Sequence, residues 1–233
     1  MTNPTSAVNP SDESIAQLSA LPDDGPIIMV NLLKFSEPAG RDRYRRYGAV
    51  AGKEIASRGG RVIYSGRSIA GTDWDRVALV FYPRRAAYLD MQNSEAYRNA
   101  IPDRTAGLSK RLLFAFKEGS RGTPLDDVVK KASDEIFVVN LLRFNGQSGR
   151  DEYMEYGAVA SKLIQDLGGE MVLYLDAEQA MVTDDDWQNF ILVRYPSLEA
   201  LRSMTSSDEW QRANREHREV GLANTIAFPT RQA

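Results

Sequence analysis

An amide and a cation recur at one spacing in this chain. "VNLLKF" at Val30–Phe35 carries Asn31 and Lys34, and "VNLLRF" at Val139–Phe144 carries Asn140 and Arg143. An amide among apolar residues must find partners, because burying it unpaired costs about 1–3 kcal/mol. Two roles meet that demand: a structural amide that fixes strand ends or an interface, or an amide facing a ligand. The cation three residues on could be an exposed strand-end charge. At a cavity mouth it could instead grip a carboxylate or enolate. Tyr44 and Tyr47 recur as Tyr153 and Tyr156. These phenols could pack a core with their hydroxyls at its rim, or act on a ligand. Trp74 and Trp187 each follow an aspartate; they could seal a sheet corner or stack on a planar ligand. Arg194, in "FILVRYP", stands where the first copy has Phe81. A cation in so apolar a stretch needs a carboxylate or a polar cavity. The cavity reading predicts an anion held from the second copy's side, and the rival reading a protein acid such as Asp176 or Glu178.

Other chemistries drop out. The sequence has no cysteine and one histidine, His217. That excludes disulfides, thiolate nucleophiles and multi-imidazole zinc sites. No G-x-S-x-G elbow or G-x-x-x-x-G-K-[ST] loop occurs. His217 lies 113 residues after Arg104. A basic residue at both places favours a surface or rim role over a haem ligand or general base. "DDDW" at Asp184–Trp187 reads as a solvated turn rather than a metal site. The expectation is no metal and no cofactor. A net charge of −3 does not suit nucleic acid or an anionic membrane as partner. No apolar run approaches the roughly 18 residues of a membrane span, and the first residues lack a signal-peptide pattern, so a cytoplasmic location is expected.

The elements that must position these groups come in two copies. Asn31 and Asn140, Gly40 and Gly149, and the "YGAVA" runs at Tyr47 and Tyr156 are all 109 residues apart. From Trp74 and Trp187 onward the separation is 113, which puts a few extra residues in a hairpin loop of the second copy. Each copy reads as strand, helix, two strands, helix, strand. Tyr44, Tyr47, Ala51 and Ile55 form the inner stripe of the first helix. The glycine after the second tyrosine suggests that another backbone approaches there. Ser94 reads as an N-cap that restarts a helix, and Ser206 with Glu209 as a capping box. Short helices are expected over "SDESIAQLSAL" and over "PLDDVVKKAS" in the linker. Residues 1–118 make the first unit with its N-terminal helix, and residues 119–233 the second with the linker helix.

These motifs, together with "DW" before strand three and "YPS" after it, resemble the dimeric α+β barrel superfamily. Within it, the chain is similar to the family called domain of unknown function thirteen-thirty. The resemblance implies an α+β fold in which two tandem ferredoxin-like βαββαβ units pack sheet to sheet as an intramolecular pseudo-dimeric barrel. It also implies a small-molecule ligand in a barrel cavity; a homodimer of the tandem chain could form. The superfamily spans cofactor-free oxygenases, isomerases, haem-dependent members and sensing domains, so the fold does not name a reaction. The catalytic reading is a metal-free, cofactor-independent enzyme acting on a small organic acid or enolisable carbonyl. The alternative is a non-enzymatic ligand-binding, sensing or oligomerisation module.

Overall fold

Strand β1 (Ile27–Phe35) is rich in β-branched and large apolar residues and is buried along nearly its whole length, as a strand covered on both faces should be. The computed structural model describes residues 8–23, 25–69, 72–118, 134–183 and 185–233. The helix expected in the linker, and Asp184 of "DDDW", lie outside these residues.

In the first unit, helix α1 (Asp12–Ala20) precedes β1, followed by α2 (Gly40–Ala56), β2 (Arg61–Ser68), β3 (Arg76–Tyr82), α3 (Arg85–Asn93), α4 (Glu95–Gly107) and β4 (Leu108–Glu118). Strand β1 pairs antiparallel with β3 on one side and β4 on the other, and β2 pairs with β3. This is the ferredoxin-like βαββαβ arrangement. The second unit repeats it with β5 (Ile136–Phe144), α5 (Gly146–Asp166), β6 (Glu170–Val182), β7 (Asn189–Tyr195), α6 (Leu198–Ser206), α7 (Asp208–Ala213), α8 (Glu219–Gly221) and β8 (Leu222–Gln232). The eight strands close into one antiparallel barrel in the order β1-β3-β2-β8-β5-β7-β6-β4. No described helix is long and apolar enough to cross a membrane.

Alternation along β1 sends Met29, Asn31 and Leu33 to one face and Val30, Leu32 and Lys34 to the other. Met29 packs with Tyr47, Ala51, Ile55, Val80 and Leu113 in the core under the helices. Asn31 therefore faces the helices. By compact units, the first comprises Met1–Glu118 with Ala177–Asp185, so the second half of β6 is counted there. Within that unit Glu178 is bound by the buried Arg85 (Nε to Oε2 3.0 Å, with a second contact from Nη2) and by Lys117 Nζ at 3.0 Å.

Several local expectations change. The extra residues of the second copy lengthen a strand instead of a loop: β6 has 13 residues where β2 has 8. The N-cap of α7 is Ser207, whose hydroxyl accepts from Trp210 N. Ser206 is the last residue of α6 and is not available to start the next helix. Ser94 caps α4 as expected, accepting from Tyr97 N. A Cβ on Gly48 or Gly157 would meet nothing within 4 Å, so neither glycine marks a close backbone approach. That role belongs to Gly40 against Gly107 and to Gly149 against Gly221, where a Cβ would come within 2.6 Å of a carbonyl oxygen.

A further difference sits between α7 and α8. Residues Asn214–Arg218 form a π-helical turn, the signature of one inserted residue. After it the copies are 114 apart: Leu33 pairs with Arg111 where Leu142 pairs with Thr225. Arg218, not His217, is thus the structural counterpart of Arg104.

Candidate ligand pockets

Each unit holds a pocket between its own sheet and helices. The helix-facing side of β1, not the barrel interior, lines the first pocket, a cavity of about 170 Å³. Asn31, Tyr44 and Tyr47 line it, joined by Arg76 from β3, Tyr97 from α4 and Arg111 from β4. None of its lining residues is acidic.

Asn31 is a fully engaged amide. Its Oδ1 accepts from Arg111 Nη2 at 2.6 Å and from Nε at 3.2 Å. Its Nδ2 donates to the carbonyls of Met29 at 3.1 Å and Ala78 at 3.4 Å. The remaining donor of Arg111, Nη1, reaches the Val8 carbonyl at 3.2 Å. An arginine beside a neutral amide keeps its charge uncompensated. Asn31 therefore aims Arg111 at the cavity, and its own hydrogen-bonding capacity is spent.

Behind the cavity wall lies a second cation. Arg104 is 2% exposed. It donates from Nη1 to Tyr97 Oη at 2.6 Å and to Tyr47 Oη at 3.4 Å, and from Nη2 to Asn9 Oδ1 at 2.7 Å. The two hydroxyls are 3.0 Å apart. Burial would raise the Tyr97 phenol, but the charges of Arg104 and Arg111 and hydrogen bonds with Tyr47 and Gln92 outweigh it and hold it below the ordinary tyrosine value. Burial, reinforced by Tyr97, pushes Tyr47 well above that value. The opposite directions make Tyr97 the more acidic phenol of the pair. Arg76 adds a third cation. It is half-buried, and its Nε is shielded from solvent without a partner among the described residues.

The glycines of α2 explain access. Gly48 and Gly52 line this pocket four residues apart, and a Cβ on either would meet open space. Glycine inside a helix costs about 0.5–1 kcal/mol relative to alanine. Here it leaves a gap in the helical wall.

The second pocket, about 310 Å³, is larger and more apolar. Asn140, Tyr153 and Tyr156 line it, as their counterparts line the first. The polar groups around them have changed. Trp210 replaces Tyr97 and donates from Nε1 to Tyr156 Oη at 3.1 Å. Leu201 replaces Tyr88, and Thr225 replaces Arg111. Arg218 keeps the place of Arg104, 5.9 Å from the Tyr156 ring centroid where Arg104 is 5.3 Å from that of Tyr47. Asn140 donates to the Val138 carbonyl at 3.3 Å. Its Oδ1 receives no hydrogen bond from a described residue, so the two amides differ in kind.

Five candidates fall outside both pockets. Lys34 points from the other face of β1 and pairs with Asp75 at 3.3 Å, while Asp75 also accepts from Phe35 N at 2.8 Å. Arg143, its counterpart, is likewise absent from the pocket lining. Trp74 and Trp187 are buried, at 3% and 1% exposure, and line neither cavity. Lys110 Nζ lies 4.6 Å from the centroid of the Trp74 ring. Arg194 is the clearest correction. Its guanidinium is held by Glu135 at 2.6 Å and Glu170 at 2.9 Å. Protein carboxylates, though not Asp176 or Glu178, supply the counter-charge, and the anion site expected there is withdrawn. His217 faces away from the pocket, with Nδ1 2.7 Å from Glu152 Oε2. Among the described residues no group of three His, Asp or Glu gathers as a metal site.

Sequence reasoning missed Arg76, Tyr97, Arg111 and Arg218. "RLLFAFK" contains the signal for Arg111, since register places it beside β1 opposite Leu33. Arg218 was hidden by the inserted residue.

A family model described as Domain of unknown function (DUF1330) matches residues 32–117 and 146–229. RPA0582, a protein of unknown function from Rhodopseudomonas palustris, is 29% identical over 49% of this chain and 98% of its own, with a TM-score of 0.45. An anthrone oxidase-like protein is 11% identical over 91% of this chain and 92% of its own, with a TM-score of 0.61. A mutant chlorite dismutase from Candidatus Nitrospira defluvii is 12% identical over 94% of both chains, with a TM-score of 0.55. The last two are similar in fold alone. No curated protein matches the sequence.

Proposed function

The chain is a tandem member of the family described as Domain of unknown function (DUF1330), and from that premise we propose that its first unit binds a small organic acid or enolisable carbonyl and exchanges a proton with it. One observation carries this reading. Arg111 is buried, at 7% exposure, and its hydrogen-bond partners, the Asn31 amide oxygen and the Val8 carbonyl, are neutral. Buried charges are ordinarily paired, so the pocket is short of negative charge. A ligand carboxylate or enolate supplies it at Arg111, helped by Arg76.

The acidified Tyr97 fits proton transfer. As a phenolate it accepts the proton from a carbon next to a carbonyl, and the electron pair moves to the carbonyl oxygen. The cations stabilise that oxygen as its charge develops, which is how a fixed charge lowers a barrier. Arg104 acts through Tyr97 and is a positioning residue. A second reading, ligand capture without turnover, is favoured by Trp210, because the second unit retains a pocket without the phenol.

The test uses β-keto acids and simple carboxylates. Calorimetric titration should show binding that falls at least tenfold in Arg111→Met, and exchange of the substrate α-hydrogen in D₂O that vanishes in Tyr97→Phe while binding persists. Unchanged binding in Arg111→Met would overturn the anion site. Binding without exchange in the parent would leave the capture reading.

A further inference from the structure

We propose that the pocket of the second unit is a separate site for an amphipathic monoanion, an apolar ring or short branched chain carrying one acid group, held at Arg218. The argument starts from what divergence did to the cavity. It is about 310 Å³ where the first is about 170 Å³. Met171, Leu201, Met204, Ile191 and Phe228 wall it, and thioether chains adapt to irregular apolar shapes. A chain that had merely lost a binding site would be expected to fill the space. Here the polar groups went and the space grew.

One charge remains. Among the described residues that line it, Arg218 is the only ionisable one other than the tyrosines. Arg218 donates to Thr225 Oγ1 at 3.3 Å, lies over the face of Tyr156 and is within hydrogen-bonding reach of the Tyr153 phenol, all of them neutral groups. No carboxylate among the described residues meets it. The inserted residue that creates the π-helical turn brings Arg218 to the cavity and turns His217 out toward Glu152. Single π-turns inside helices are frequent at functional sites. The planar guanidinium suits a carboxylate, and the apolar walls suit the body that bears it. The free Oδ1 of Asn140 could accept from a ligand hydroxyl.

The wall also has a door. Gly157 lines the pocket, and a Cβ there would meet nothing within 4 Å. Gly157→Leu therefore adds bulk at the opening without a backbone clash, and Gly48→Leu does the same in the first unit.

The experiment titrates the full chain with 2-naphthoate and with neutral 2-naphthylmethanol, followed by calorimetry. The expected result is one naphthoate per chain, preferred over the alcohol at least tenfold. Gly157→Leu should remove it, and it should survive in Gly48→Leu. Arg218→Met, which keeps the stem, should abolish the preference while the alcohol still binds. Naphthoate binding that persists in Gly157→Leu, or an acid preference unchanged in Arg218→Met, would overturn the proposal. So would the absence of naphthoate binding to the parent chain. Circular dichroism of each variant separates lost binding from lost fold. Because Arg111→Met tests the first pocket alone, failure of one site does not entail failure of the other.

Discussion

At the scale of single residues, the phenols of the first pocket carry opposite pH signatures. The folded value of Tyr97 lies below the ordinary 10.0, since Arg104 and Arg111 outweigh its burial. Its stabilising share is present above the unfolded value and is lost as pH falls through the folded one. Tyr47, raised by burial, has the reverse sign: its share is present below 10.0 and is lost as pH rises through its folded value. A spectroscopic titration of phenolate absorbance should therefore show one tyrosine ionising ahead of the others. That early step should disappear in Tyr97→Phe and move upward in Arg104→Met. A parent whose tyrosines all ionise at or above the ordinary value would refute the assignment. Neither shift was legible in the sequence: Arg104 follows Tyr97 by two turns of α4, but Tyr47 on α2 and Arg111 on β4 join the pair only through the fold. Asn31 was legible as an amide needing partners. Its service to Arg111 was not, because register decides which strand lies beside it.

Helices show which sequence signals hold and which mislead. The stripe from Tyr44 to Ile55 put the right face of α2 inward, because helical period alone fixes that face. The glycine of "YGAVA" misled, since a small residue is equally consistent with close approach and with an opening. Two substitutions distinguish these uses. Gly40→Ala should destabilise the fold by about 1–3 kcal/mol, because its Cβ would come within 2.6 Å of the Gly107 carbonyl oxygen. Gly48→Ala should stabilise it by about 0.5–1 kcal/mol, because nothing obstructs a Cβ there. Urea unfolding of the pair measures both; equal effects of one sign would contradict the distinction. The insertion before α8 was illegible for a related reason. Sequence offsets were anchored at Trp74 and Trp187, and one residue added after them moves a cation from one helix face to another.

For the whole molecule, the duplication was plain in repeated strings, and the order of elements followed from hydrophobic period and turn residues. The extension of β6 was not, because a strand that outgrows its partner looks like a loop in sequence. Its Glu178 is 9% exposed and meets an Arg85 that is 2% exposed. Removing one member of a buried ion pair costs up to about 3–5 kcal/mol, and less where the remaining charge keeps other contacts. Glu178→Gln should lower stability by more than about 1 kcal/mol and up to that amount in thermal or urea unfolding, although it lies in the sequence of the second copy. A loss below about 1 kcal/mol would show that Arg85 has adequate partners elsewhere. Arg194 shows the complementary lesson: its charge needed a counter-ion, but only the fold could show that Glu135 and Glu170 provide it.

The gap that Gly48 and Gly52 leave in the wall of α2 also bears on how the protein will be found. A pocket with a standing opening does not wait for the chain to unfold before its occupant departs. For association on the order of 10⁶ M⁻¹ s⁻¹, a ligand bound at about 1 μM would leave within roughly a second. The chain would then emerge empty from any chromatographic step, whatever it carried in the cell. Its ligand is to be sought at equilibrium, by dialysis against extract or by ligand-observed resonance, rather than by extraction of the purified protein.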